Sequence, residues 1–94
     1  MDAGSRRKIQ ARLKRVSGQL QGIQRMIDED RYCLDVLSQI AAVRSALDAL
    51  GVELLSNHVE HCVTGGPEAH PQAKAMSTEQ LTAELRTALD RFLR

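Results

Sequence analysis

From Tyr32 to Val63 the chain reads without a break as one helix. Leu34, Leu37, Ile40, Ala41, Val43, Leu47, Leu50, Leu54, Leu55 and Val59 follow a helical period, which lines one side of a helix with apolar side chains. At 1.5 Å per residue this rod of about 32 residues is roughly 48 Å long. Thr64-Gly65-Gly66-Pro67 stops it, because glycine caps a helix end and proline cannot continue one. Gly51, in its middle, marks a bend or a tight contact. So long a rod in a chain of 94 residues implies a thin helical layer. Such a layer has two faces and little to cover them, which favours oligomers.

A first helix is expected from about Arg6 to Glu29, on the period of Ile9, Leu13, Val16, Leu20, Ile23 and Ile27. Ser5 is its expected N-cap, and Gly18 and Gly22 suggest close helix packing. Asp28-Glu29-Asp30 marks a turn, with Asp30 as the N-cap of the second helix, expected over 32–63. Residues 64–76 are expected to form a mobile loop. Ser77-Thr78-Glu79-Gln80 carries the capping-box pattern and opens a third helix, 77–93, striped by Leu81, Leu85, Leu89 and Phe92. With one Phe, one Tyr and no Trp, the core must come from Leu, Ile, Val, Ala and Met. That favours helix-on-helix packing over a β-sandwich. The expected architecture is all-α, in one domain over residues 1–94.

Net charge is only +1, but it is unevenly placed. Within residues 1–15, Arg6, Arg7, Lys8, Arg12, Lys14 and Arg15 stand against the single acid Asp2, so that segment carries +5 and the remainder −4. A basic arm on a mildly acidic body points to a polyanionic partner. No stretch approaches the ~20 apolar residues of a membrane span, and the N-terminus lacks a signal-peptide core. The expected location is cytoplasmic, with neither a membrane nor a small-molecule substrate as partner. Thiols stay reduced there. Cys33 and Cys62 therefore read as ligands or reactive thiols rather than as a disulfide.

His58 and Cys62 are four residues apart, which sets both side chains on one helix face, one turn apart. That spacing makes a two-donor clamp for a soft or borderline metal. Alone it is a weak signal, because a His and a Cys four apart arise often by chance. Cys33 strengthens it. This residue starts the same helix, roughly 44 Å from Cys62 at 1.5 Å per residue. One straight helix cannot bring them together, whereas two copies packed antiparallel can. Cys33 of one protomer would then meet His58 and Cys62 of its partner, with two such sites per dimer. Two thiolates and one imidazole suit Cu(I), which favours soft ligands and accepts three-coordination; structural zinc wants a fourth donor. Of the spare histidines, His61 points about 100° around the helix from Cys62. His70 lies in the loop between Pro67 and Pro71 and is expected to be solvated. Both stay outside the ligand set.

Three blocks resemble the copper-sensitive operon repressor (CsoR) family in type and spacing. They are Tyr32-Cys33-Leu34-Asp35-Val36-Leu37 with Gln39-Ile40-Ala41-Ala42-Val43, then Asn57-His58-Val59-Glu60-His61-Cys62, and Arg12-Leu13-Lys14-Arg15-Val16 with Gly18-Gln19 and Gly22-Ile23. The resemblance runs without a gap over about residues 6–63. It implies a three-helix protomer, an antiparallel four-helix-bundle dimer and a tetramer of two dimers. It implies Cu(I) held by Cys33 of one chain with His58 and Cys62 of the other, and release of operator DNA when copper binds. Tyr32 and Glu84 would stand behind the ligands, Glu84 by alignment with the end of the family's third helix across an extended loop. The family's second helix continues past its Cys, while Gly65-Gly66-Pro67 stops it here. Family DNA contacts fall on Arg12, Lys14 and Arg15. Arg6, Arg7 and Lys8 lie in the same arm, and Arg44 is the nearest basic residue of the second helix. No helix-turn-helix is visible, so binding would rest on phosphate contacts and groove shape.

Relatives within the same family sense other ligands. His58 argues against a persulfide sensor, which lacks that imidazole. The absence of any His before His58 argues against a nickel or cobalt sensor, and Cys62 against a formaldehyde sensor. A helical scaffold without a DNA role would show the same long helix but has no need of a basic arm. An enzyme is not expected: the sequence places no Ser-His-Asp set, phosphate loop or paired carboxylates, and a Cys-His pair needs a substrate pocket to react.

Overall fold

The computed structural model describes residues 1–94 and contains helices but no strand. α1 spans Ala3–Asp28 and α2 spans Cys33–His58. A π-helical turn, Val59–Val63, prolongs α2; a short helix α3 covers Pro71–Lys74, and α4 runs over Thr78–Phe92.

α1 starts earlier than its apolar period suggests, because Asp2 rather than Ser5 caps it. The Ser5 N–H donates to Asp2 Oδ1 at 2.6 Å, which satisfies a free amide and sets a carboxylate at the positive end of the helix dipole. Hydrogen bonding with Ser5, and after it the nearby His61, holds the Asp2 carboxyl below the usual carboxylate range. At the other end of α1, Asp30 takes φ +54°, a left-handed conformation that Asp tolerates better than most residues. Asp30 therefore reverses the chain instead of capping α2. Tyr32 occupies that N-cap without a side-chain bond.

α1 and α2 pack antiparallel, burying Val16, Val43 and Leu50, with Lys8 Nζ 3.2 Å from Glu53 Oε1. The basic start of α1 thus lies beside the C-terminal end of α2. Gly18 and Gly22 meet nothing within 4 Å that a Cβ would touch, so the expected close packing is absent within the protomer. Gly51 is the opposite case. A Cβ there would overlap the ring of Phe92, so the glycine marks a tight contact that lets α4 lie along α2.

The second helix does not stay α-helical to Val63. Beyond His58 the Thr64 N–H reaches five residues back, to the Val59 carbonyl at 3.3 Å, and Gly65, at φ +74°, closes the end. Nor are residues 64–76 a free loop. Ala69 and Ala73 are buried with Cys62 and Leu81 in one small apolar cluster, with Met76 against it. His70 caps α3 by accepting the Gln72 N–H at Nδ1, 3.1 Å away. Pro71 follows at the first helical position, where no amide hydrogen is needed. At α4 the capping box forms in full between Ser77 and Gln80.

The protomer measures 52 × 29 × 15 Å, and its least dimension is scarcely above the ~10–12 Å diameter of one helix. Its radius of gyration is 17.1 Å, against about 12 Å for a compact chain of this size. Only 7 of 94 residues are buried. Leu13, Leu20 and Ile27 of α1, and Leu34, Leu37 and Leu47 of α2, stay exposed. Apolar surface on this scale marks an interface. No helix is long and apolar enough to cross a membrane.

Candidate metal centre

A cleft of about 470 Å³ opens where α2 ends. Leu54, Asn57, His58 and Cys62 wall one side, His70, Gln72 and Ala73 another, and Glu84 and Met1 complete it. The fold therefore brings His58 and Cys62 together, as their spacing predicts. Cys62 is 8% exposed, and the His70 N–H donates to its Sγ at 3.5 Å, a contact that fixes the direction of the sulfur. Both cysteines are free thiols. His58 also borders a second cleft, of about 500 Å³, which runs along α2 and α4 past Gly51, Leu85 and Phe92. Glu84 lines both clefts with His58.

Cys33 is exposed at the far end of α2, in a shallow surface cleft with Ile27, Asp30, Arg31, Val36 and Leu37. Its neighbour Tyr32 is 66% exposed. Cys33 and His58 are about 38 Å apart along the axis at 1.5 Å per residue. Within one protomer, no three His, Cys, Asp or Glu side chains converge on a point that could hold a metal ion. The donors are soft or borderline, and they are divided between the two ends of one rod.

His61 turns away from the cleft, although in the π-turn its step from Cys62 is smaller than an α-helix would give, and its Nε2 lies 3.6 Å from Asp2 Oδ2. His70 is exposed as expected, yet its backbone reaches the Cys62 sulfur. The signal for it was present in His70-Pro71, since proline at a helix start leaves the residue before it as the cap. Arg6, Arg7, Lys8, Lys14 and Arg15 are exposed on α1, Arg12 is half-buried, and Arg44 is exposed on α2. At about 100° per residue, Arg7 and Lys14 share one face of α1, and Lys8, Arg12 and Arg15 share the next.

The sequence profile of the metal-sensitive transcriptional repressor family matches residues 5–91. The chain belongs to that family, one of transcriptional regulators rather than enzymes. Among its relatives is the copper-sensing transcriptional repressor RicR of Mycobacterium tuberculosis, 57% identical over 63 residues, covering 62% of this chain and 66% of the relative. The copper-sensing repressor CsoR of Bacillus subtilis is 40% identical over 84 residues, covering 89% of this chain and 77% of the relative. The chain thus spans about two thirds of the first relative's length and rather more of the second's. In three dimensions it resembles the copper-sensing repressor CsoR with Cu(I) from Geobacillus thermodenitrificans. The TM-score is 0.84 at 35% identity, over 100% of this chain and 92% of that one. It also resembles the nickel-responsive regulator InrS, with a TM-score of 0.70 at 41% identity, over 92% and 90%. A third match is a single-substitution variant of the formaldehyde-responsive regulator FrmR of Salmonella enterica serovar Typhimurium, with a TM-score of 0.79 at 26% identity, over 97% and 97%.

Proposed function

We propose that this protein is a Cu(I)-responsive transcriptional repressor. In this reading the metal-free form binds operator DNA, and loading of an intersubunit site by Cu(I) releases it. The observation that carries it is the split donor set. His58 and Cys62 share one cleft wall at the end of α2, and Cys33 lies at the opposite end. Two protomers paired antiparallel along α2 would bring Cys33 of one to His58 and Cys62 of the other, with Tyr32 and Glu84 behind the ligands. The exposed leucines of α1 and α2 are the surface such a pairing would cover. They supply the core of an antiparallel four-helix bundle, and two bundles would form the tetramer.

Two thiolates and one imidazole offer Cu(I) the soft, low-coordinate set it prefers. The residues expected to meet DNA are Arg6, Arg7, Lys8, Arg12, Lys14, Arg15 and Arg44. The six on α1 begin beside the metal end of α2, so ligand site and basic arm are neighbours. The antiparallel packing of α1 on α2, with Lys8 beside Glu53, keeps them close.

The test is fluorescence anisotropy on the protein's own promoter DNA without oxygen, with Cu(I), Ni(II) and formaldehyde in separate arms. The metal-free protein should bind, Cu(I) should release it, and the other two should not. Absence of DNA binding by the metal-free protein would overturn the repressor reading. Release by Ni(II) or formaldehyde in place of Cu(I) would overturn the ligand.

A further inference from the structure

His61 and Cys62 are consecutive residues of the π-turn, yet they serve different neighbours. The Cys62 sulfur lines the cleft with His58. The His61 side chain, 14% exposed, faces the start of α1 with Nε2 3.6 Å from Asp2 Oδ2. Asp2 uses its other oxygen, Oδ1, to cap α1 through the Ser5 N–H at 2.6 Å. One carboxylate thus bridges the metal end of α2 and the backbone of the basic helix. Met1, just before it, is part of the cleft wall, and Arg6, Arg7 and Lys8 follow within the first turns of α1. Between the Cys62 sulfur and the first amides of α1 there is no flexible linker. There is one peptide step, one imidazole–carboxylate contact and one cap bond.

The turn that carries both residues can change state. π-Helical hydrogen bonding is rare and tends to sit at functional positions. Each residue in so wide a turn advances less than the ~100° of an α-helix. Tightening the turn as His58 and Cys62 close on a common ion would rotate His61 about the helix axis and draw it from Asp2. We propose that His61 and Asp2 are the positioning pair that transmits occupancy of the Cys62 site to α1. This rests on the copper-responsive reading above. The pair biases a two-state turn on one side and the cap of the DNA-binding helix on the other, and such coupling acts equally in both directions.

Two variants separate the relay from mere capping. Asp2→Ser keeps a good N-cap oxygen but removes the oxygen that meets His61. His61→Phe keeps a ring and removes Nε2. For each variant and for the wild type, DNA affinity is measured with and without Cu(I), and copper stoichiometry is measured against a competing chelator. Both variants should match the wild type in copper stoichiometry and, within about threefold, in metal-free DNA affinity. The copper-induced loss of DNA affinity should shrink about tenfold in each, and no further in the double variant, as expected of one shared interaction. Hydrogen exchange at the Ser5–Lys8 amides should respond to copper in the wild type and not in the variants.

Variants that release DNA as the wild type does, a double variant that adds, or lost copper stoichiometry would each overturn the pair while leaving the repressor reading in place. A wild type that copper does not release would overturn both. Should His61→Phe fold poorly, Asp2→Ser, at an exposed helix start, decides the matter alone.

Discussion

Gly51 of α2 and Phe92 of α4 touch so closely that a Cβ on residue 51 would overlap the aromatic ring. The contact sets how near the C-terminal end of α4 can lie to the middle of α2, while Leu81 seats its start, and Glu84 with it, in the cluster with Cys62. Gly51→Ala gains about 1 kcal/mol of helix propensity and loses about 1–3 kcal/mol to overpacking. Phe92 is 43% exposed and ends its helix, so it can move aside. Net stability should change by less than about 1 kcal/mol, while α4 lifts from α2. Faster hydrogen exchange in α4 with a nearly unchanged urea midpoint is the expected result. A large loss of stability would show the ring is held more firmly than its exposure indicates.

The three proposed ligands should be equal in copper binding and unequal in stability. Cys33→Ala removes an exposed side chain and should stay within about 0.5 kcal/mol of the wild type. Cys62→Ala empties part of the cluster with Ala69, Ala73 and Leu81 and should cost about 1 kcal/mol. Either variant, and His58→Ala, should bind DNA and fail to respond to Cu(I). In an anaerobic titration the thiolate-to-copper absorption should vanish in all three. Persistence of the wild-type copper site in any one of them would remove that residue from the set.

Lys8 is the one basic residue of the arm with an acid beside it, Glu53, at 3.2 Å. Their side chains are 60% and 29% exposed, and such pairs contribute at most about 1 kcal/mol. Glu53→Gln should leave stability nearly unchanged and strengthen DNA binding a few-fold at low salt, by removing a negative charge from the binding face. Lys8→Ala should lower the salt slope of binding by about one unit. If DNA affinity is indifferent to both changes, this face of α1 does not meet DNA.

Asp2 makes the start of α1 sensitive to acid. Its carboxyl titrates below the usual range, so the folded state holds the proton less tightly than the unfolded chain. The stabilisation is therefore complete above the unfolded value, about 3.9, and is lost as pH falls through the lower folded value. The Ser5 amide should keep its hydrogen-bonded shift from neutral pH down to about pH 4 and lose it only below. Loss of that shift already above about pH 5 would show that another group controls the cap.

Much of the fold was legible because its signals are local. The apolar period from Leu34 to Val59, the stop at Gly65-Gly66-Pro67 and the capping box at Ser77 each depend on residues within a few turns. The apolar stripe begins only at Ile9 and hides the turn before it, so it points to Ser5 where Asp2 is the cap of α1. Asp30 was expected to cap α2 because its type suits both a cap and a left-handed turn, and only the path of the chain chooses between them. The π-turn, the burial of Ala69 and Ala73 and the reach of His70 to Cys62 all depend on α3 folding back under the end of α2. No periodicity encodes that. At the candidate site, the His58–Cys62 pair was visible from spacing, and Glu84 only through resemblance. The bridge from His61 to Asp2 joins residues far apart in sequence, and only the antiparallel register brings them together.

A protomer 15 Å thick has almost no inside. The free energy that folds an ordinary domain comes from its own core, whereas in the proposed dimer much of it would come from a second copy. Stability is then subject to mass action, and the melting temperature should climb with protein concentration. In a cell a chain stabilised in this way would be ordered above a threshold abundance and exposed to proteolysis below it. The amount of repressor present would then limit its own lifetime, apart from any signal the metal conveys.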